Sequence, residues 1–319
     1  MKSIWREIIL AVIMGMILPG ITLNWAVERE ESEVPTVRPP DQEKHPLEMR
    51  LRKQDGTLQT MDMDSYLMGV ILAEMPANFE AEAKKAQAVV ARTYARKAWV
   101  TGGKHGDGSV CSDSACCQAY ISPEEYLGQH GAESAVEEAR AAAEGTSGQV
   151  LTYEGQLIEA TYFSCSGGST EDAEAVWGTD FPYLRAVESP GEEYALHHTD
   201  RVYFTKGDFT AALALKLTGN PTGWIGSATY TAGGGVDTIE IGGKTFTGKE
   251  LRSLLGLRST AFSMAPDEWG VAITTKGFGH RVGMSQYGAD AMAAGGSSYE
   301  EILAHYYRGA TLELTNDLP

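Results

Sequence analysis

Residues Asp64 to Trp99 read DSYLMGVILAEMPANFEAEAKKAQAVVARTYARKAW, a pattern of two helices with a break between them. The first, from Asp64 to roughly Met75, is apolar at Tyr66, Leu67, Val70, Ile71 and Leu72, so most of its surface must be buried. Pro76 ends it, because proline lacks the helical N–H donor and pushes the preceding residue towards extended geometry. Asn78 is the expected N-cap of the second helix, with Glu80 and Glu82 in its first turn. Ala83, Ala86, Val90 and Ala91 form its inward side, and such small residues allow close packing. Glu74 then lies at the negative end of a helix dipole beside Leu72, Met75 and Pro76. Both the dipole and these apolar neighbours disfavour the charged carboxylate, so a raised pKa is expected. A glutamate at a helix end is more often solvated surface. A carboxylic acid held protonated near neutral pH, however, is what cleavage of a glycosidic bond requires.

Working outward, Leu47–Met61 reads as two short strands about a turn at Asp55-Gly56. Ser122-Pro123-Glu124-Glu125 looks like a capped helix start, and an alanine-rich helix from Ala132 to about Ala143 ends at Gly145. From Gln149 the period changes to that of strands: VLTYEG and LIEATYF meet at the hairpin signal Glu154-Gly155. A Gly/Ser loop, Ser164–Ser169, follows. Residues 190–276, with strands such as RVYFTK and TIEIGG and a helix from Gly248 to Leu257, read as a semi-independent second lobe. The chain then returns through GFGHRVGMSQYGADAMAAGG to a last helix at Tyr299–Tyr307. The expected fold class is α+β: a two-lobed mixed helix/sheet domain, with 46–189 and 277–319 forming the lobe that carries Glu74 and a cleft between the lobes.

His105, Cys111, Cys116 and Cys117 fall in the spacing H-x5-C-x4-C-C within the loop 102–120. Four such ligands suit a closed, structural tetrahedral zinc site. A disulfide from Cys111 to either later cysteine is the other reading. Two adjacent cysteines on one ion is a strained arrangement, so one of them could point away. Cys165, alone in YFSCSGGST, reads as a small buried residue rather than a nucleophile.

The net charge of −17 argues against nucleic acid and any polyanionic partner. At the N-terminus Lys2 and Arg6 precede an apolar run from about Ile8 to Val27, long enough to span a bilayer with the N-terminus in the cytoplasm. No small-x-small cleavage site follows Pro19-Gly20, which favours an uncleaved anchor at 1–27 over a signal peptide. Residues 28–45, charged and proline-bearing, read as an extended tether to an extracytoplasmic domain.

The stretch AEMPANFEAEAKKAQAVVARTYA resembles the signature of the stage II sporulation protein D family, and the resemblance runs from about Leu47 to the C-terminus. It implies a membrane-anchored lytic transglycosylase that cuts peptidoglycan between N-acetylmuramic acid and N-acetylglucosamine, leaving 1,6-anhydro ends. The place implied is the septum between mother cell and forespore, in wall remodelling and engulfment. The family's catalytic glutamate matches Glu74, and Arg92 matches a functionally important arginine that could position sugar groups. Ser166, Gly167, Gly168 and Trp177 belong to an SGGxT…VWG motif that implies close backbone approach to a ligand. Tyr183 and Arg185 match a family Tyr and Lys, and GHRVGMSQYGA supplies His280, Ser285, Gln286 and Tyr287, with Arg281 where the family has glycine. Some members carry a two-cysteine, two-histidine zinc site in the loop; here Cys116 replaces one histidine, which would make the set Cys3His. The resemblance further implies peptidoglycan strands stripped of stem peptides as substrate. Its implied partners are a membrane-bound amidase, stage II sporulation protein P, and the multispanning stage II sporulation protein M. Two rival classes are a non-catalytic amidase enhancer that binds the wall, and a zinc amidase built on the Cys/His loop.

Overall fold

The helix that ends at Glu74 is the centre of the first core. This helix, α1 (Met63–Glu74), starts where Asp62 accepts the Ser65 N–H at 2.9 Å. Met63, Tyr66, Leu67, Met68, Val70, Ile71 and Leu72 are all buried, so α1 is enclosed rather than amphipathic. Helix α2 (Ala81–Thr101) begins at a cap on Glu80, not on Asn78. The reason is Phe79, which is buried in a turn closed by its own N–H on the Pro76 carbonyl at 3.1 Å; residues 76–79 are spent on that turn. Asp290 then accepts the Glu80 N–H at 2.7 Å, doing from a distant helix what Asn78 does not do locally. Helix α3 (Pro123–His130) is capped by Ser122. The alanine-rich α4 (Glu133–Gly145) packs its small residues against both α1 and α2.

The fold is a mixture of helices and small, mostly antiparallel sheets, an α+β architecture. The structure is a computed structural model that describes residues 48–315. The expected anchor and tether lie outside those residues, and among the described residues no helix is long and apolar enough to cross a membrane. Glu48–Arg52 and Leu58–Asp62 form the N-terminal hairpin. Gln149–Tyr153 turns at Glu154 and Gly155, both with positive φ (51° and 74°), into Gln156–Leu157. The rest of LIEATYF does not continue that hairpin. Tyr162–Phe163 instead pairs in parallel with Met284–Ser285, so the returning chain is laid beside Tyr162.

Between these two passages the chain builds a second hydrophobic core. Phe209, Trp224, Ile241, Phe246, Leu251, Val271 and Ile273 fill it, between the sheets that contain Val236–Ile241 and Gly270–Lys276. Residues 190–198 lead into it while keeping their buried contacts with the first core: Glu192 is almost fully buried against Ser166, Gly167 and Ser189.

Arg281 ties the two cores together. Its backbone is left-handed (φ 63°), the conformation a glycine would take most easily. Its side chain donates to the carbonyls of Ser166 (2.8 Å), Ser169 (2.6 Å) and Gly233 (2.7 Å), and meets Glu171 at 3.2 Å. Glu171 also accepts from Thr231 Oγ1 at 2.8 Å and the Gly235 N–H at 2.9 Å, so loop 231–235 of the second core is held by this one ion pair. Both charged groups are buried. We expect Arg281→Gly to destabilise the fold by about 3–5 kcal/mol, because it leaves Glu171 buried without its counter-charge. Urea denaturation checks this; a midpoint at the wild-type value would remove the tie.

Candidate active site

Glu74 is the last residue of α1 and is half-buried. Met75 follows with ψ 134°, so the chain leaves helical geometry as Pro76 demands. Glu74 Oε1 accepts the Ala119 N–H at 2.7 Å and the Tyr162 hydroxyl at 3.2 Å. Burial raises its pKa, and the bonds from Ala119, Tyr162 and Gln286 only partly oppose that. Tyr162 has a second acceptor, Gln118 Oε1, at 3.1 Å, and Gln118 in turn donates to Tyr66 at 3.0 Å. Gln286 also donates to Gln87 Oε1 at 3.5 Å. The Gln87 amide nitrogen is buried without a partner. None of these groups is a second carboxylate.

The loop that delivers Ala119 and Gln118 is the Cys/His loop. His105 Nε2 lies 3.6 Å from Cys117 Sγ and 3.9 Å from Cys116 Sγ, the two sulfurs are 3.9 Å apart, and all four ligand atoms, Cys111 included, fall within 4.8 Å. A tetrahedral ion with bonds of about 2.3 Å to sulfur and 2.0 Å to nitrogen needs S–S and S–N separations of about 3.8 and 3.5 Å. The four residues fit such an ion. Both adjacent cysteines point inward, because a turn at Asp113 accepts the N–H groups of Cys116 (3.0 Å) and Cys117 (2.7 Å) on one carbonyl. All four cysteines of the chain are free. Downstream the loop crosses α1 at Gly69, where an added Cβ would meet the Tyr120 ring at 2.3 Å. Tyr120 stacks on Tyr66 at 5.7 Å, and the Ile121 N–H reaches the Gly69 carbonyl at 3.2 Å. Ala119 is thereby pinned on both sides.

The remaining expected residues divide into two groups. Gln286 faces Glu74, and Tyr287 lies next to it, edge-on to Phe79 at 4.9 Å. His280 sits between Trp177 (5.3 Å) and Phe163 (5.7 Å), one residue from Tyr162. Its Nδ1 accepts the Val282 N–H at 3.1 Å, and burial, with the Arg252 charge, takes its pKa down to about 4, so it is neutral at pH 7. Trp177 is partly exposed.

Arg92, Ser166, Gly167, Tyr183, Arg185 and Ser285 each have partners within the protein. The Ser166 and Gly167 N–H groups donate to Glu192 at 2.6 and 3.2 Å, so the glycine loop cradles an internal carboxylate. Gly167 (φ 72°) is required because a Cβ would meet the Gly277 nitrogen at 2.6 Å. Gly168 is exposed beside it. Tyr183 is buried with its hydroxyl accepting the Glu159 N–H at 3.0 Å, Arg185 pairs with Asp180 at 2.6 Å, and Ser285 caps the helix Gln286–Ala294. Cys165 is buried, as expected.

Arg92 is fully buried, and its carboxylate partner is Asp64. It donates to Asp64 Oδ1 (2.9 Å), the Ala143 carbonyl (2.9 Å), the Gln149 carbonyl (3.2 Å) and Thr146 Oγ1 (3.3 Å). It therefore locks the start of α1 to the end of α4. Arg92→Ala should cost about 3–5 kcal/mol, because a buried charge network loses its centre. Arg92→Lys should recover little, as an ammonium cannot reproduce the planar fork. Thermal melts of the two variants test this, and a lysine variant as stable as wild type would contradict it.

Tyr162, Gln118, Gln87 and Glu192 did not stand out in the sequence. Tyr162 looks like an ordinary strand aromatic and Gln118 like a loop residue. Gln118 alone had a usable signal, its place directly after Cys117.

The class this defines is an α+β domain with one lone, burial-shifted carboxylic acid at the end of an enclosed helix, buttressed by a Cys/His loop. A profile of the stage II sporulation protein (SpoIID) family matches residues 52–153. Stage II sporulation protein D of Bacillus subtilis is 38% identical over 266 residues, covering 82% of this chain and 77% of that protein, and its Bacillus amyloliquefaciens counterpart is equally similar. The amidase enhancer of Bacillus subtilis is 32% identical, across 77% of this chain and 40% of its own length. The chain belongs to the stage II sporulation protein D family, a family of sporulation proteins.

Proposed function

We propose that this protein is a membrane-anchored lytic transglycosylase of the sporulation septum, acting on peptidoglycan strands stripped of stem peptides. The observation that carries the reading is Glu74: half-buried, raised in pKa, and surrounded by amides, a hydroxyl and a backbone N–H rather than a second carboxylate. An inverting or retaining hydrolase needs two carboxyl groups flanking the bond. A transglycosylase needs one, because the substrate's own C6 hydroxyl is the nucleophile and is preoriented by its ring.

Oε1 accepts both the Ala119 N–H and the Tyr162 hydroxyl, so Oε2 is the oxygen that carries the transferable proton. Neutral Glu74 donates that proton to the glycosidic oxygen as the bond from C1 breaks. The new carboxylate then removes the C6 hydroxyl proton while O6 bonds to C1. Glu74 ends protonated, and the sugar ends as the 1,6-anhydro form. While Glu74 is charged, Tyr162 can turn its hydrogen to Oε1; while Glu74 is neutral, Gln118 Oε1 is the alternative acceptor. The hydroxyl thus follows the charge without moving its ring.

His105, Cys111, Cys116 and Cys117 would hold a structural zinc ion, which as a closed four-ligand site would fix the loop bearing Gln118 and Ala119. Saccharide entry from a cleft between the two cores, an N-terminal anchor with its N-terminus inside, and partnership with stage II sporulation proteins P and M complete the proposal. These last points rest on the sequence and on family membership. The similarity to an amidase enhancer favours a second reading, a wall-binding module that stimulates another enzyme. Mass spectrometry of products from amidase-treated sacculi separates them: anhydro ends mark a transglycosylase, reducing ends a hydrolase, and no release a binding module.

A further inference from the structure

Tyr194 is more than half exposed (54%), yet its side chain is held at both the hydroxyl and the ring. Its hydroxyl donates to Asp290 Oδ2 at 2.6 Å, with the Tyr287 carbonyl at 3.2 Å. Its ring meets Tyr287 edge-on at 5.4 Å, and Tyr287 in turn meets Phe79. Asp290 is buried, and its other oxygen holds the start of α2, directly after the Glu74 turn. Two residues before Tyr194, Glu192 is clamped by Ser166, Gly167 and Ser189, so the backbone here is fixed as well. Gln286, the residue next to Tyr287, faces Glu74.

An exposed aromatic held this tightly is ready to bind with little further loss of freedom. Because its hydroxyl is already used by Asp290, what it can offer a ligand is a ring face. A flat, amphipathic face packed on Tyr287, the neighbour in sequence of Gln286, suits the C–H face of a pyranose ring. We propose that Tyr194 is a stacking platform for a sugar ring of the glycan strand, forming a subsite on the Gln286–Tyr287 side of Glu74. This rests on the reading of Glu74 as facing a glycan, but not on Glu74 being catalytic.

The test therefore measures binding without turnover. The full chain in detergent micelles, carrying Glu74→Gln, is co-sedimented with amidase-stripped glycan strands from sacculi. Adding Tyr194→Ala should weaken binding about tenfold, while Tyr194→Phe, which keeps the ring, should stay within about threefold. Tyr203, another half-exposed tyrosine whose hydroxyl bonds Asp267 at 2.8 Å, lies on the second core; its alanine variant should bind as the parent does. Unchanged binding by Tyr194→Ala overturns the platform, as does a phenylalanine variant as weak as alanine, or an alanine variant at Tyr203 that is equally weak. A Glu74→Gln parent that binds no glycan also overturns it. Failure of the transglycosylase reading looks different: wild-type protein releases no anhydro product while the Tyr194 dependence of binding persists.

Discussion

Glu74→Gln is expected to lower release of anhydro-muropeptides by at least about 10³-fold while leaving the fold intact, since in the proposed mechanism one group supplies both proton transfers. The isosteric amide can still accept the Ala119 N–H, so the loop keeps its anchor. The stability effect should run opposite to the activity effect. Burial raises the Glu74 pKa in the folded protein above its ordinary value of 4.5. Below the unfolded value both states are protonated, and the site costs nothing. As pH rises past it, the unfolded chain ionises freely while the folded one keeps its proton, and the penalty levels off only above the folded pKa, where the buried group is charged too. Wild type therefore loses stability across that window and Glu74→Gln does not, so the variant should melt as high or higher at neutral pH. Activity of the wild type should fall over the same upper limb, as the acid ionises. Muropeptide mass spectrometry together with melts at pH 4 and pH 7 decides the matter. Wild-type turnover by the variant would end the case for Glu74 as the catalytic acid.

Stripping metal from the Cys/His loop should produce the second large effect. If zinc holds His105, Cys111, Cys116 and Cys117, the purified chain contains one zinc, and a chelator lowers its melting temperature by on the order of 10 °C. Activity should fall in step, because Ala119 lies two residues beyond Cys117 and carries the shortest hydrogen bond to Glu74, at 2.7 Å. Cys117→Ser should behave like the chelated protein. Thiol counting under denaturing, chelating conditions gives an independent reading: all four cysteines titrate if the loop holds metal, and only two if Cys111 is in a disulfide. Chelation that abolishes activity with no change in melting would instead point to a metal that takes part in chemistry.

Arg281 shows how a residue in a backbone conformation that suits glycine can carry long-range contacts. It adopts the left-handed conformation that a glycine would occupy there, and its guanidinium then reaches across to the second core. No local feature of GHRVGMSQYGA announces that reach, because Glu171 and Gly233 are remote in sequence.

Read alone, the sequence determined the α1–turn–α2 unit, the position of Glu74 at a helix C-terminus among apolar residues, the grouping of four metal-type ligands and the family. Each is written in short-range terms: periodicity, a proline stop, ligand spacing, a contiguous signature. Tertiary structure decided what those residues touch. It moved the α2 cap from Asn78 to Glu80 through the burial of Phe79, buried Arg92 against Asp64, and turned Ser166 and Gly167 inward onto Glu192. It also brought Tyr162, Ala119 and Gln286 around one carboxyl group from three separate passages of the chain. Hydrogen bonds between passages dozens of residues apart depend on how the parallel pairing of Tyr162–Phe163 with Met284–Ser285 closes the fold, and no local pattern of side chains encodes that closure.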